Sequence, residues 1–181
     1  MEYHDTTEFW DGHSWQDHTP LPDKLSGHCL VKLNTTHLFL AGGRNEEQSA
    51  ASYLFSKETG WVRQADMSNA RSHFSCGLLR EGLVVVAGGS VFNFETQKKT
   101  EFFNVKDLSW SPGPDLPMTG SGSRMVSLGD SKVFLFLKSK ILQLEPLELF
   151  TVSWWRWTEV REMKDSRTSW DLVPLSQKHC K

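Results

Sequence analysis

The sequence predicts an all-β domain built from repeated units of four antiparallel strands. Two short apolar runs, Leu38–Gly43 and Leu83–Gly89, are near copies of each other, and each ends in two glycines. Short runs of β-branched and aromatic residues are typical of strands buried on both faces, and glycine marks a position where the backbone needs room. The glycines to which we assign this geometric role are Gly42, Gly43, Gly88 and Gly89.

Tryptophans give the length of the repeat. They recur at intervals of 46, 49 and 47 residues, at Trp15, Trp61, Trp110 and Trp157. A regular interval of this size indicates stacked structural repeats. A tryptophan at a fixed position in each repeat is expected to pack in the core between neighbouring units, where its burial contributes about 2 to 3 kcal/mol.

The first complete unit shows the order of elements. His28–Leu33 predicts a strand, Asn34–Thr36 a tight turn, and Leu38–Ala41 the hairpin partner that ends at the glycines. A polar loop leads to a short third strand at Tyr53–Phe55, and the strand around Trp61 completes the unit. The second unit repeats this order element by element.

The same order divides the whole chain into five segments. They are 3–22 (the last two strands of a unit), 25–67 and 71–117 (complete units), 123–163 (a unit in which Lys138-Ser139 replaces the glycines) and 167–175 (a first strand). A four-stranded unit cannot bury both of its faces alone. We therefore expect the units to stack around an axis, as propeller blades do.

These residues resemble the kelch repeat. The resemblance rests on the Ala-Gly-Gly strand end, on Tyr53 or Phe103 in the third strand, on tryptophan in the fourth, and on Arg71 or Arg124 opening the next unit. It covers residues 3–175 and implies a kelch-type β-propeller. Six blades would need about 280 residues at this repeat length. The chain is therefore expected to be a partial propeller, either a fragment or a half-ring that self-associates, with a closed four-bladed ring as the alternative.

The resemblance also implies a binding face. In such propellers, ligands bind the loops that follow the glycine-ended strand and those that precede the first strand of each blade. Carried over by position, the candidate partner-binding residues are Arg44, Asn45, Arg71, Ser72, Ser90, Ser123, Arg124 and Arg167. Converging arginines would suit an acidic peptide, because guanidinium pairs bidentately with carboxylates. Alternatively, Arg71, Arg124 and Arg167 are structural and bond carbonyls or acids between blades.

Composition argues against several functional classes. A net charge of −2 over 181 residues provides no broad basic field, and no apolar run approaches 18 residues, so neither nucleic acid nor a membrane is an expected partner. The histidines lack metal-ligand spacing, and no catalytic motif is recognisable. We expect no catalytic residues, metal or cofactor.

Three cysteines, Cys29, Cys76 and Cys180, are far apart and lack the C-x-x-C spacing. This pattern predicts free thiols in a reducing compartment, with Cys29 and Cys76 as small core residues. We accordingly expect a cytoplasmic protein. An extracellular location is the alternative if a signal peptide has been lost.

The leading functional hypothesis is a non-enzymatic module that binds a segment of another protein on the loop face of the propeller. The resemblance further implies a role as the substrate-recognition part of a cullin-type ubiquitin ligase adaptor. Two alternatives remain open from the sequence: an enzyme domain of the galactose-oxidase type, and an extracellular structural or adhesion protein.

Overall fold

The computed structural model describes residues 4–80, 82–128, 132–149 and 152–163. In these residues, fourteen strands form three four-stranded sheets and one two-stranded sheet. Consecutive strands pair antiparallel within each sheet, so each sheet is a meander of the kind that forms a propeller blade. The predicted all-β architecture is confirmed.

The N-terminal half-blade and the first blade are built from six strands. Their bounds are β1 (Thr7–Trp10) and β2 (Trp15–His18) in the half-blade, then β3 (Cys29–Lys32), β4 (Leu38–Ala41), β5 (Ser52–Ser56) and β6 (Gly60–Arg63) in the first blade. Asn34 closes the β3–β4 turn, where its side-chain Oδ1 accepts hydrogen bonds from the backbone N–H groups of Thr36 and His37, both at 2.8 Å. Such turns are typical of asparagine.

The second and third blades contain the remaining strands. Their bounds are β7 (Ser75–Arg80), β8 (Leu83–Ala87), β9 (Thr100–Asn104) and β10 (Ser109–Pro112), then β11 (Arg124–Leu128), β12 (Lys132–Leu137), β13 (Lys140–Leu149) and β14 (Val152–Glu162). All four sheets fall inside the segments that the sequence delimits. The strand predicted at 167–175 lies outside the described residues.

The third blade is longer than the repeat predicts. Its third strand, expected at Ile141–Leu144, continues to Leu149. Beyond Leu144 the pairing with β12 has ended, and β13 pairs only with β14, with Pro146 opposite Trp155. In the described part of the chain this stretch has a partner strand on one side, and proline is tolerated on such edge strands.

The core lies between blades. Phe39 of the first blade stacks on Phe103 of the second, with ring centroids 4.6 Å apart and planes 25° from parallel. Val84 and Val86, both fully buried in β8, belong to the same cluster. Burial of this kind stabilises each blade only when its neighbour is present.

Three of the four repeat tryptophans bridge to the preceding unit through the indole N–H. Trp61 Nε1 donates to Thr19 O (3.2 Å), Trp110 Nε1 to Ala65 O (2.8 Å) and Trp157 Nε1 to Thr100 Oγ1 (3.0 Å). Trp15 differs, since it is 65% exposed. The prediction that Trp15 packs in an inter-blade core is therefore wrong for this structure, because no other described blade lies against it.

The glycine pairs stand where two chain segments cross. Gly42 and Gly89 both have positive φ, at 60° and 96°. A Cβ on Gly42 would lie 2.6 Å from Arg71 O, and one on Gly89 would lie 2.6 Å from Phe74 Cβ. The backbone conformation and the close approach both require glycine here.

Cys29 and Cys76 form a disulfide, with Cα atoms 6.0 Å apart. The prediction of free thiols is therefore wrong. The two residues lie on β3 and β7, the first strands of neighbouring blades, which pack side by side. Their separation of 47 residues is one repeat length, and that is the signal the sequence did carry.

Candidate functional site

The candidate site is one end of the blades. Because the strands alternate in direction, the loops after each second strand and those before the next blade's first strand emerge at the same end. We call this end the loop face. It comprises residues 19–28, 42–51, 64–74, 88–99, 113–123 and 138–139.

Backbone hydrogen bonds tie these loops together across blades. Gly43 N donates to Arg71 O at 2.9 Å, and Gly89 N donates to Gly120 O at 2.9 Å. Ser72 and Ser90 exchange a pair of backbone bonds of 3.0 and 2.8 Å. The loop face is therefore a bonded surface rather than a set of independent loops, which favours a preorganised site.

Arg71 lies under the loop face. Its side chain is fully buried; Nη2 contacts Glu101 Oε1 at 2.5 Å, and Nη1 donates to Lys99 O at 2.8 Å and to Gly88 O at 3.1 Å. Burial lowers the pKa of Arg71, and the neighbouring Glu101 charge opposes that shift. Arg71 was predicted to contact a partner, but here its guanidinium is covered and donates to Asn69, Gly88, Lys99 and Glu101. The structural alternative describes Arg71 correctly.

The three predicted serines are also buried. Ser72 Oγ lies 3.1 Å from His73 Nδ1, and Ser123 Oγ lies 2.8 Å from Ser75 Oγ. Ser90 is 5% exposed and is held through its backbone. Ser72, Ser90 and Ser123 were predicted to contact a partner, but their side chains are covered in this structure. Their small size suits the crowded crossing beside the glycines.

The accessible predicted residues are Arg44, Asn45 and Arg124. Arg44 is half-buried, and its backbone exchanges hydrogen bonds of 2.8 and 2.9 Å with Ser26. Asn45 is exposed, and its Oδ1 accepts from Glu46 N at 2.6 Å. Arg124 opens β11 with an exposed side chain, and its Nη1 donates to Ser123 O at 3.1 Å. Arg167 lies outside the described residues.

Two residues that the sequence reasoning missed stand beside Arg44. Phe92 and Phe94, in the loop between β8 and β9, are 69% and 64% exposed. The Arg44 guanidinium carbon lies 4.8 Å from the centroid of the Phe94 ring, within the range of a cation–π contact. The available signal was two phenylalanines in the otherwise polar loop that follows a glycine pair.

Two concave regions flank these elements, and a third, of about 620 Å³, lies beside Asn45 and is also lined by Asp23, Lys24 and Glu46. One, of about 390 Å³, lies on the loop face and is lined by residues of three loops, including Glu47, Asn69 and Phe92. The other, of about 520 Å³, lies between the half-blade and the first blade and includes Phe9, Leu30 and the turn at Asn34. The first belongs to the candidate site, and the second opens towards the other end of the sheets.

The titratable side chains show no arrangement for metal chemistry within the parts of the chain that the structure describes: His, Cys, Asp and Glu form no group of three that could hold an ion. Over the same ranges, no helix is long and apolar enough to cross a membrane.

Comparison with known proteins shows which proteins this sequence resembles. No protein-family model matches the sequence. Kelch-like protein 36 of Bos taurus is 32% identical over 130 residues, which are 65% of this chain and 20% of that protein. Kelch-like protein 34 of Homo sapiens is 29% identical over 119 residues, and Kelch-like protein 40 of Xenopus laevis 25% over 151 residues. The sequence is therefore similar to Kelch-like proteins, over 58 to 80% of its length.

The fold agrees with that similarity. The solved structure of YjhT superposes with a TM-score of 0.69 at 13% identity, over 92% of this chain and 68% of that chain. At this identity the likeness is one of fold. The matched regions cover only 18 to 24% of the three Kelch-like proteins. The kelch blades described above therefore correspond to part of each relative.

Proposed function

We propose that this kelch chain is a non-enzymatic protein-interaction module, which holds a segment of another protein on its loop face. The observation that carries the proposal is the state of Arg44. In the described part of the chain, its guanidinium has an aromatic ring as its contact and no carboxylate, and its Nε is buried without an acceptor. Because Nε is covered by the protein itself, the terminal Nη groups are the part of the guanidinium that a partner's carboxylate can pair with.

The chemistry of the partner follows from that cation. An acidic side chain can pair with the guanidinium, and such charge-assisted bonds are about twice as strong as neutral ones. Asn45 and Arg124 are exposed on the same face and add polar contacts. We therefore propose an acidic peptide segment as the partner.

Selection from a random peptide library displayed on phage tests the module. We expect selected peptides to be enriched in Asp and Glu, and to bind the Arg44→Glu variant about tenfold more weakly, since the change removes one charge pair and adds a repulsive one. Lys57→Glu, which makes the same charge change in the turn between β5 and β6, is the matched control and should leave binding intact. Selected peptides that bind the Arg44→Glu variant as well as the parent would contradict the proposal.

A finer proposal concerns the longer assembly. The Kelch-like relatives and the resemblance support substrate recognition for a cullin-type ubiquitin ligase. The galactose-oxidase-like alternative finds no support among these relatives. Co-expression of this chain with a cullin and with a reporter carrying a selected acidic peptide should give ubiquitinated reporter. Arg44→Glu should abolish the modification, and an unmodified reporter would contradict this role.

We also propose a cytoplasmic location, and the redox state of Cys29 and Cys76 provides the test. Disulfides persist in oxidising compartments and are rare in the cytosol. In that location, alkylation at the moment of cell lysis should trap both thiols as reduced, and the Cys29–Cys76 bond would form only on later oxidation. A fully oxidised pair in cells would instead favour the extracellular structural or adhesion alternative.

A further inference from the structure

The loop between β8 and β9 exposes two large apolar rings, which are separated by one residue in the sequence. Phe92 and Phe94 have most of their surface in solvent, 69% and 64%. An isolated exposed apolar residue is ordinary, but neighbouring exposed rings on a concave face mark a contact surface for another molecule. Aromatic side chains are also the residues most enriched among binding hot spots.

This loop is held in one shape by its own backbone. Val91 N donates to Glu95 O at 2.8 Å, and Phe94 N donates to Val91 O at 3.1 Å. Asn93 and Phe94 both have positive φ, at 56° and 61°. Positive φ is unusual for phenylalanine, and such conformations concentrate at functional sites. The rings are therefore presented by a bonded turn, which lowers the entropic cost of binding.

The two rings face different chemical environments. Phe94 lies against the Arg44 guanidinium, the cation that has no carboxylate partner among the described residues. Phe92, together with Val91 and Ala70, forms the apolar part of the cavity of about 390 Å³, whose rim carries Glu47. The Arg44 end therefore favours an acid, whereas Glu47 disfavours one in the cavity.

We infer that Phe92 and Phe94 form an aromatic anchor for one apolar side chain of a bound protein segment, with the cavity beside Phe92 receiving that side chain and an acidic residue of the same segment pairing with Arg44. The inference rests on the proposed function and deepens it, because it specifies the residues that the partner segment must contain. These are an apolar residue and, a short distance before or after it in the sequence, an acidic residue. Acidity alone is not sufficient for recognition.

The test uses synthetic peptides of defined composition. The panel consists of nine-residue peptides with Leu, Met, Phe or Gly at the centre, combined with Glu, Gln or Lys at each other position in turn. Binding to the full chain is followed by fluorescence polarisation. We expect peptides that combine an apolar centre with Glu to bind about tenfold more tightly than those with a Gly centre or with Gln, as loss of a hot-spot contact would require. Equal binding of the Gly-centred peptides would overturn the inference.

The protein variant is the double substitution Phe92→Ser and Phe94→Ser. Because both rings are exposed, thermal melting should change little, whereas binding of the apolar-acidic peptides should fall about tenfold or more. Val62→Ser, which removes an exposed apolar side chain from β6, is the control and should bind normally. Unchanged binding by the double variant would overturn the anchor.

The outcomes separate this inference from the function on which it rests. Phage-selected peptides that still depend on Arg44 but are indifferent to the double Phe substitution would leave the interaction module in place and refute the anchor. Peptides that depend on neither Arg44 nor the two rings would refute both.

Discussion

Arg71 Nη2 and Glu101 Oε1 lie 2.5 Å apart, and the two side chains are 0% and 4% exposed. Glu101 also accepts from the backbone N–H of Ser68, at 2.7 Å, and from Asn69 Nδ2, at 3.2 Å. The pair therefore ties the loop that enters the second blade to strand β9. Since Arg71 O in turn accepts from Gly43 N, the same residue also joins the first blade to the second.

Breaking this pair should destabilise the protein strongly. Arg71→Met leaves the Glu101 carboxylate buried without its cation, and the loss of one partner of a buried ion pair costs about 3 to 5 kcal/mol. The double variant Arg71→Met with Glu101→Gln should recover part of the loss, because no uncompensated charge remains. Urea denaturation measures both.

The exposed pair of Arg63 and Asp66 is the control for that experiment. Its atoms lie 2.9 Å apart, but the side chains are 60% and 48% exposed. Arg63→Met should therefore change the unfolding midpoint very little, since solvent screens exposed pairs. Equal effects of the two Arg→Met substitutions would show that Arg71 is not held as described.

The close packing around Gly89 can be tested against Gly12, a glycine with similar backbone strain and open surroundings. Gly89 and Gly12 both have positive φ, at 96° and 104°. A Cβ on Gly89 would lie 2.6 Å from Phe74 Cβ and 2.8 Å from Ser72 O, whereas one on Gly12 meets nothing within 4 Å. Alanine at either site carries about 1 to 2 kcal/mol of backbone strain. Overpacking should add about 1 to 3 kcal/mol at Gly89 alone.

Thermal melting of the two alanine variants gives the comparison. Gly89→Ala should melt clearly below Gly12→Ala, and the difference between them isolates the crowding where the loop after β8 crosses Phe74. Identical melting temperatures would contradict the assignment of the glycine pair to a close approach of two chain segments.

The blades were predictable because their signals are local. The apolar run before Gly88 and Gly89 is one strand, and the interval from Trp61 to Trp110 is one repeat, so both can be recognised without knowing what packs against them. The loop face was predictable for a related reason, since strand order alone decides which loops share an end.

The side-chain roles at the loop face were not predictable in the same way. The sequence predicts the same role for Arg71 and Arg124, yet Arg71 lies four residues before β7 and is buried, whereas Arg124 begins β11 and is exposed. The buried position of Arg71 depends on Glu101, a residue thirty positions away in the chain. The sequence did not predict the exposure of Phe92 and Phe94, because apolar residues are expected to be buried in a core. The structure shows that no other described residue covers them.

The disulfide between Cys29 and Cys76 should contribute to stability. It closes a 47-residue separation, and disulfides over loops of this size typically contribute about 2 to 4 kcal/mol. Reduction should therefore lower the melting temperature of the parent chain. The double variant Cys29→Ser with Cys76→Ser should melt at the reduced value and show no response to reductant. Quantitative alkylation of both thiols in oxidised protein would contradict the bond.

Ionisation of the buried Tyr53 hydroxyl should make the folding stability of the first blade depend on pH in the alkaline range. Its side chain is 2% exposed, and its hydroxyl donates to Asp23 Oδ2. Burial, followed by the hydrogen bond and the negative charge of Asp23, raises the pKa of Tyr53 from 10.0 to about 12. The folded state therefore favours the neutral phenol. The resulting stabilisation is complete below pH 10 and is lost as the pH rises from 10 to about 12.

Tyr53→Phe should remove that dependence. At neutral pH the variant should be less stable by about 1 to 2 kcal/mol, because Asp23 loses its hydrogen-bond donor. Between pH 10 and 12 its melting temperature should decline less steeply than that of the parent, since Phe has no proton to lose. Asp23→Asn is the intermediate case: it removes the negative charge but keeps an acceptor, so the pKa of Tyr53 should fall towards its ordinary value. Absorbance titration of tyrosinate measures the pKa directly, and a Tyr53 that ionises near pH 10 in the folded parent would refute the buried contact with Asp23.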